Sequence, residues 1–199
     1  MRVDTASVGA RGADSLQAIT PDQARALAGT VDFSVRYLGS IDQEELRALL
    51  AASLAFMPVT FADQFDPDIA LTHLRTLGLP SGVTVWLDVE GKSVWDMATP
   101  MLIGKIDHWA DRLQAEGFMP GIYIGSPQPL TSEELYALRV VRYWRGQGRI
   151  VDRTGALAEP HCGWCMTQMY PSVTWRGVLV DANIIGQDYL GRVPAWVRA

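Results

Sequence analysis

Lysine is nearly missing from this chain. Lys92 and Lys105 are the only two in 199 residues, and arginine supplies the rest of the positive charge. With 17 basic against 22 acidic residues the net charge is −5. Nucleic acids are held through basic patches on their phosphates, so this balance argues against a nucleic-acid partner. No stretch approaches the ~20 apolar residues that a membrane-spanning helix needs. Met1-Arg2-Val3-Asp4 enters a strand-like stretch at once. No charged segment followed by an apolar one precedes it, so the sequence is expected to be made in the cytoplasm without a signal peptide.

Other shortages exclude further chemistries. Histidine occurs three times, as His73, His108 and His161, and the first two fall in predicted helices. No Ser-His or Cys-His arrangement is visible, which speaks against a nucleophilic triad. No glycine-rich phosphate loop follows the first strand. The two cysteines, Cys162 and Cys165, have the spacing of a redox pair. Such a pair normally opens a long helix whose dipole lowers the thiol pKa. Here Met166-Thr167-Gln168-Met169-Tyr170-Pro171 follows, which reads as a strand ended by proline. The pair is therefore assigned to a structural connection. A zinc site lacks a second cysteine pair. No cofactor is expected.

What the chain has is an alternation of strand-like and helix-like runs over one domain, 1–199. Hydrophobic residues make up 48% of it, and a chain of this length buries roughly 70% of its unfolded surface. Strands are predicted at Arg2–Ala6, Phe33–Leu38, Ala55–Phe61, Val83–Val89, Met119–Ile124, Val140–Trp144, Met166–Tyr170 and Val178–Asp181. Between them, Thr20-Pro21-Asp22-Gln23 is a capping box and Asp42 a second N-cap, before Leu46, Leu49, Leu50 and Leu54 at helical spacing. Further helices are predicted at Asp68–Leu77, at Met101–Glu116 and from Thr131. Repeated strand–helix units imply parallel strands. Eight of them predict a small TIM-like (β/α)8 barrel whose last units are degenerate. An open doubly wound sheet is the alternative.

Four carboxylates fall at predicted strand ends: Asp4, Asp88, Glu90 and Asp181. Desolvating a carboxylate costs several kcal/mol, so stability alone does not place acids there. In a parallel barrel all four converge on the C-terminal mouth. Asp88 and Glu90, two residues apart, share a strand face with Trp86. Two acids so close hold one pKa up, and a protonated acid near neutral pH is what glycosidic cleavage needs. Asp88 and Glu90 also have a plainer reading as solvated acids at a strand end and turn, and Asp4 as a helix or turn cap. Arg36, Tyr37, Trp86, Tyr123, Gln168, Tyr170 and Asn183 join the candidate site as ligand-binding side chains near strand ends. Aromatic rings stack on sugar faces.

Read together, these residues resemble the glycoside hydrolase-like domains of unknown function that are related to family-25 lysozymes. Val3-Asp4-Thr5 looks like the family's opening Asp, and Arg36-Tyr37-Leu38-Gly39 like its second-strand signature. Leu77–Glu90 looks like its loop and fourth strand with the Asp-x-Glu pair, Gly117–Ser126 like its fifth strand, and Gln168-Met169-Tyr170 with Val180-Asp181-Ala182-Asn183 like its closing strands. The resemblance spans nearly the whole chain. It departs in having Met169 and Cys165 around Gln168, where a Trp-Gln-Tyr run is more usual. It implies a (β/α)8 barrel and a peptidoglycan or related polysaccharide substrate. By the same resemblance Glu90 matches the general acid, Asp88 assists the substrate's N-acetyl group or stabilises the transition state, and Asp4 and Asp181 line the cleft.

The expected function is a monomeric peptidoglycan hydrolase of the muramidase type, acting on the cell wall after release or delivery, as a phage endolysin or a delivered toxin does. Two other readings stay open. One is a catalytically silent barrel that binds wall glycans. The other is a hydrolase using Asp4, Asp88, Glu90 and Asp181 as hard oxygen ligands for Mg2+ or Mn2+.

Overall fold

The computed structural model describes residues 1–62 and 65–199. Among the described residues ten strands join in one sheet, and eight of them close a barrel. In chain order the barrel strands are β2 (Arg11–Ser15), β3 (Phe33–Tyr37), β4 (Ala55–Phe61), β5 (Thr84–Asp88), β6 (Met119–Ile124), β7 (Arg142–Gly146), β8 (Met166–Trp175) and β9 (Val178–Ile185). Neighbours from β2 to β8 pair in parallel. β9 runs antiparallel to both β8 and β2 and closes the ring. The barrel is therefore of the α/β type but mixed, not the fully parallel one expected.

The first predicted strand is not a barrel strand. β1 (Arg2–Thr5) pairs antiparallel with β10 (Ala195–Arg198), and β10 joins β4 through Val197 and Phe56. The ribbon meets the barrel where the parallel strands begin: Ala195 N–H donates to Thr84 Oγ1 at 2.9 Å, and buried Trp196 lies 5.7 Å from Phe33. It closes the N-terminal end of the barrel.

The helices form where their caps and periodicity put them. α1 (Pro21–Leu27) starts on the Thr20–Gln23 capping box. α2 (Gln43–Ala51) starts on Asp42, whose side chain accepts from Glu45 N–H, and it buries Leu46, Leu49 and Leu50. α3 (Pro67–Thr76) starts on Asp66. α4 (Lys92–Trp95) is a single turn after β5. α5 (Thr99–Ala115) buries Leu102, Ile106, Trp109 and Leu113, and α6 (Ser132–Ala137) starts on a Thr131–Glu134 capping box. Their apolar faces cover the outer wall, against Phe56, Val85, Leu87, Ile122 and Ile124.

The interior is a separate cluster built on Phe33, Val35, Tyr37, Met57, Val59, Trp86, Tyr123, Trp144, Met166 and Trp196. An eight-stranded barrel is only just wide enough for its own side chains. Two glycines make room for the large rings. A Cβ on Gly12 would sit 2.1 Å from the Phe33 ring, and one on Gly121 would sit 2.5 Å from Trp86.

Arg36 alternates with the inward residues of β3 and faces out. It is fully buried beneath α2, with Nε 2.6 Å from Glu45 Oε1, and Nη1 donates to the Ser15 carbonyl. Glu45 Oε1 also accepts from Ile19 N–H at 3.1 Å. One buried ion pair thus fixes the end of β2 and the turn into α1. Removing one partner strands the other's charge. Glu45→Ala should lower the unfolding free energy by about 3–5 kcal/mol, measured by denaturant titration, while Arg36→Met with Glu45→Leu should lose clearly less.

Candidate active site

The C-terminal ends of the parallel strands surround a cavity of about 430 Å3. Asp14 and Ser15 reach it from β2, Tyr37 from β3, Tyr123 from β6, Trp144 from β7, Gln168 and Tyr170 from β8, and Leu179 and Asp181 from β9. Leu16, Gln17 and Glu90 complete the wall from the segments just after β2 and β5. Strand alternation explains the set: Gln168 and Tyr170, or Leu179 and Asp181, are two apart and share a face.

Asp14 and Asp181 are direct cross-strand partners in the antiparallel pair of β2 and β9. Like charges directly opposite destabilise a sheet, and amide donors offset this. Gln168 Nε2 lies 3.2 Å from Asp14 Oδ2 and 3.3 Å from Asp181 Oδ2, and Asn183 Nδ2 donates to Asp14 Oδ2 at 2.6 Å. The Gln168 carbonyl accepts from the Tyr123 hydroxyl at 2.6 Å, and that hydroxyl lies 3.3 Å from Tyr170 Oη. The network orients the Gln168 amide, because only its NH2 end suits two carboxylates.

On the other side of the mouth the Tyr37 hydroxyl donates to Asp88 Oδ2 at 2.8 Å, and its ring stacks on Phe61 at 4.2 Å. Glu90 extends across the end of β6. A Cβ on Gly125 would sit 1.6 Å from Glu90 Oε1, so the carboxylate occupies space that only glycine leaves open. Gly146 plays the same part for the tyrosines, since its Cβ would meet Tyr170 Oη at 2.8 Å and Tyr123 Oη at 3.3 Å.

Burial pushes the Asp14 carboxyl up to about 7; Asn183 and Gln168 pull it down, and Asp181 and Asp88 push it up again. Glu90 is also raised, first by burial and then by the charges of Asp14 and Asp181. Burial likewise raises the Tyr37 and Tyr123 hydroxyls, which stay neutral donors. The mouth thus holds two acids whose protons are held more tightly than usual, Asp14 to about pH 7, beside other carboxylates. That is an arrangement for general acid–base chemistry on a leaving oxygen.

Of the acids expected at the mouth, Glu90 and Asp181 line the cavity and Asp88 is buried beside it through Tyr37. Asp4 does not join them. It lies on the ribbon at the opposite end, opposite Trp196 and ion-paired with Arg2 at 3.0 Å. Its expected place is taken by Asp14. Tyr37, Tyr123, Gln168 and Tyr170 line the cavity, and Asn183 holds Asp14 from behind. Trp86 is fully buried and meets Trp144 edge-on at 5.7 Å. Arg36 faces the outer wall. Among the described residues no group of three or more His, Cys, Asp or Glu is placed to hold a metal ion. Cys162 and Cys165 are free and buried away from this network. Burial pushes the Cys165 thiol up to about 12, with Sγ 3.4 Å from the Tyr143 carbonyl oxygen.

No family model matches the sequence, and no curated protein matches it. Solved structures do. A glycosyl hydrolase 25 of Streptococcus pneumoniae, described as a virulence factor participating in host cell invasion, superposes with a TM-score of 0.64 over 89% of this chain and 87% of its own, at 14% identity. The Tat-secreted protein Rv2525c of Mycobacterium tuberculosis matches in two crystal forms, both at 14% identity. One gives a TM-score of 0.63 over 92% of this chain and 98% of that one, the other 0.60 over 94% and 99%. The chain has a family-25-like glycosyl hydrolase fold.

Two measurements check the electrostatics. In 13C NMR titration, Asp14 should titrate near pH 7, and Asn183→Ala should move it higher, because a bond favouring the charged form is lost. A carboxyl whose pKa is higher folded than unfolded binds more protons in the native state, so its contribution to stability falls as pH rises from 3.8 through about 7. Asp14→Asn should therefore stabilise the fold more at pH 8 than at pH 4.5. Gly125→Ala should displace the Glu90 carboxylate toward solvent and bring its pKa back toward the ordinary range. Unfolding should change little, because the far end of a flexible side chain gives way. An unmoved Glu90 titration would contradict this.

Proposed function

We propose that this protein is a glycosidase of the muramidase type that cuts bacterial cell-wall glycan. The observation that carries the reading is the convergence of Asp14, Asp88, Glu90 and Asp181 on one aromatic-walled mouth, with Glu90 raised by burial and seated over Gly125. Glycoside hydrolysis needs one carboxylic acid to protonate the leaving oxygen and a second carboxylate on the oxocarbenium-like centre. Glu90 is the proton donor in this reading. Asp88, held by Tyr37, assists the substrate's N-acetyl group or stabilises the developing positive charge, and Asp181 and Asp14 support that charge from the other side. Tyr37, Tyr123 and Tyr170 offer ring faces to the sugars.

The family-25-like fold supports the assignment, and the Tat-secreted match supports a place of action outside the cytoplasm. The protein acts as a monomer on an extended polymer. Asp14, raised to about 7, is the rival proton donor, and one experiment separates the two. Purified peptidoglycan is incubated with wild type, Glu90→Gln and Asp14→Asn, and the fragments are read by mass spectrometry. Wild type should release new reducing muramic-acid ends. Glu90→Gln should lose about 10²–10⁴-fold in rate with its fold intact, and Asp14→Asn should lose less. The reverse order would move the acid role to Asp14. Binding without release by the wild type would leave a glycan-binding barrel.

A further inference from the structure

The acid at the centre of the proposed reaction hangs on a short piece of chain. β5 ends at Asp88, Glu90 follows just after it, and Gly91 opens α4. α4 is a single turn with no side-chain cap at its N-terminus, and a helix that short does not hold itself in place. Val94 packs into the core, but the carbonyls at the far end of α4 need donors from elsewhere. Arg153 supplies them. Its Nη2 donates to the Trp95 carbonyl oxygen at 2.8 Å and to that of Met97 at 3.2 Å, and its guanidinium lies 5.1 Å over the Trp95 ring.

Arg153 belongs to the segment between β7 and β8, and the same segment holds the floor under Glu90. Ser126 follows Gly125, the glycine on which the Glu90 carboxylate rests. Ser126 Oγ donates to the Arg149 carbonyl at 3.0 Å and accepts from Val151 N–H at 3.2 Å. Asp152, only 6% exposed, stiffens the turn beside Arg153, because its Oδ1 accepts from Thr154 N–H at 2.8 Å and from Ala156 N–H at 3.1 Å. The contacts close a circuit around the acid. It runs from Glu90 through α4 to Arg153, along the chain to Arg149, across to Ser126, and through Gly125 back to Glu90. Arg153 itself is exposed and stands outside the cavity wall.

We propose that Arg153 is a positioning residue for Glu90: by tying α4 to the segment between β7 and β8 it keeps the acid seated on Gly125. The inference rests on the reading of Glu90 as proton donor. The titratable groups whose fields meet at Glu90 are Asp14, Asp181, Tyr37 and Tyr123, and none of them is bonded to Arg153. The sign of the effect separates this role from others. Loss of a cation by charge alone raises a carboxyl's pKa. Release of Glu90 from its buried seat lowers it, because burial is the main cause of its elevation.

The test follows Glu90 by 13C NMR titration in the intact chain, as wild type, Arg153→Ala and Arg153→Lys, each checked for folding by circular dichroism. In Arg153→Ala the Glu90 pKa should fall toward the ordinary carboxyl range. Lysine keeps the charge and N–H donors, so Arg153→Lys should fall less. Arg139→Ala, which removes another exposed ion pair, to Asp111, should leave Glu90 unmoved. An unmoved or raised Glu90 in folded Arg153→Ala overturns the proposal, and so does an equal fall in Arg139→Ala. On peptidoglycan, Arg153→Ala should lower kcat by about tenfold, within the ~10²-fold that a 1 Å misplacement can cost. KM should stay within about twofold, and the alkaline limb of the pH profile should move to lower pH. A raised KM with unchanged kcat overturns the positioning role. The two readings fail separately. A lowered Glu90 pKa in Arg153→Ala, with Glu90→Gln still cutting, keeps the clamp and sinks the proton donor. An unmoved pKa, with cutting lost in Glu90→Gln, keeps the proton donor and sinks the clamp.

Discussion

Closing the barrel with an antiparallel strand sets Asp181 directly against Asp14, and much of the mouth is organised around that opposition. In a fully parallel barrel each acid would end its own strand, side by side and free to diverge. Here the β2–β9 register fixes the two carboxylates face to face. Gln168 must then present its amide NH2 between them, which turns its carbonyl to Tyr123 and aligns Tyr123 with Tyr170. Asn183, two residues from Asp181 on the same face, completes the hold on Asp14. A chain of side chains across three strands depends on one like-charge contact.

Room inside the barrel is the second constraint. Large rings fill the lower interior, and two of them are opposed by a glycine where a Cβ would collide: Gly12 against Phe33 and Gly121 against Trp86. At the mouth the same device serves polar groups. Gly125 leaves space for the Glu90 carboxylate and Gly146 for two tyrosine hydroxyls. Packing and chemistry thus use one rule, small residue against large, along the same strands. The outer wall contributes through Arg36. Its buried pairing with Glu45, and its bond to the Ser15 carbonyl, anchor the residue next to Asp14 from behind.

The helices and most strands were legible because their signals are local: caps at Thr20, Asp42 and Thr131, leucines at helical spacing, and β-branched or aromatic runs. The Trp86–Asp88 face was legible from alternation alone. β2 was not. Gly12 is small because Phe33 needs the space, and Ala13-Asp14-Ser15 adds no apolar run of the kind that marks a strand. Val3-Asp4-Thr5 and Ala13-Asp14-Ser15 carry the same acid-hydroxyl pair, and the β-branched Val3 drew the assignment to the wrong copy. The β1–β10 pairing joins the two ends of the chain, and no local pattern announces it. Arg36 was a parity error that alternation could have caught. Adjacent residues within a strand point to opposite faces, so Tyr37 at the mouth leaves Arg36 on the outer wall.

The clustered acids also explain how one site holds protons and negative charge together. The charges of Asp181 and Asp88 raise Asp14, and those of Asp14 and Asp181 raise Glu90, so the protons on Asp14 and Glu90 are coupled. Burial raises Asp14 and Glu90, amide donors favour the charged form of Asp14, and each ionisation makes the next one harder. Asp14 and Glu90 therefore hold their protons to higher pH than free carboxyls do, beside neighbouring carboxylates. Losing a proton from Asp14 strengthens the field on any positive centre in the cavity and pushes Glu90 to keep its own. A cation arriving in the mouth works in the opposite sense, drawing the acids toward ionisation. Substrate charge and the protonation of the site are thereby linked through the same carboxylates.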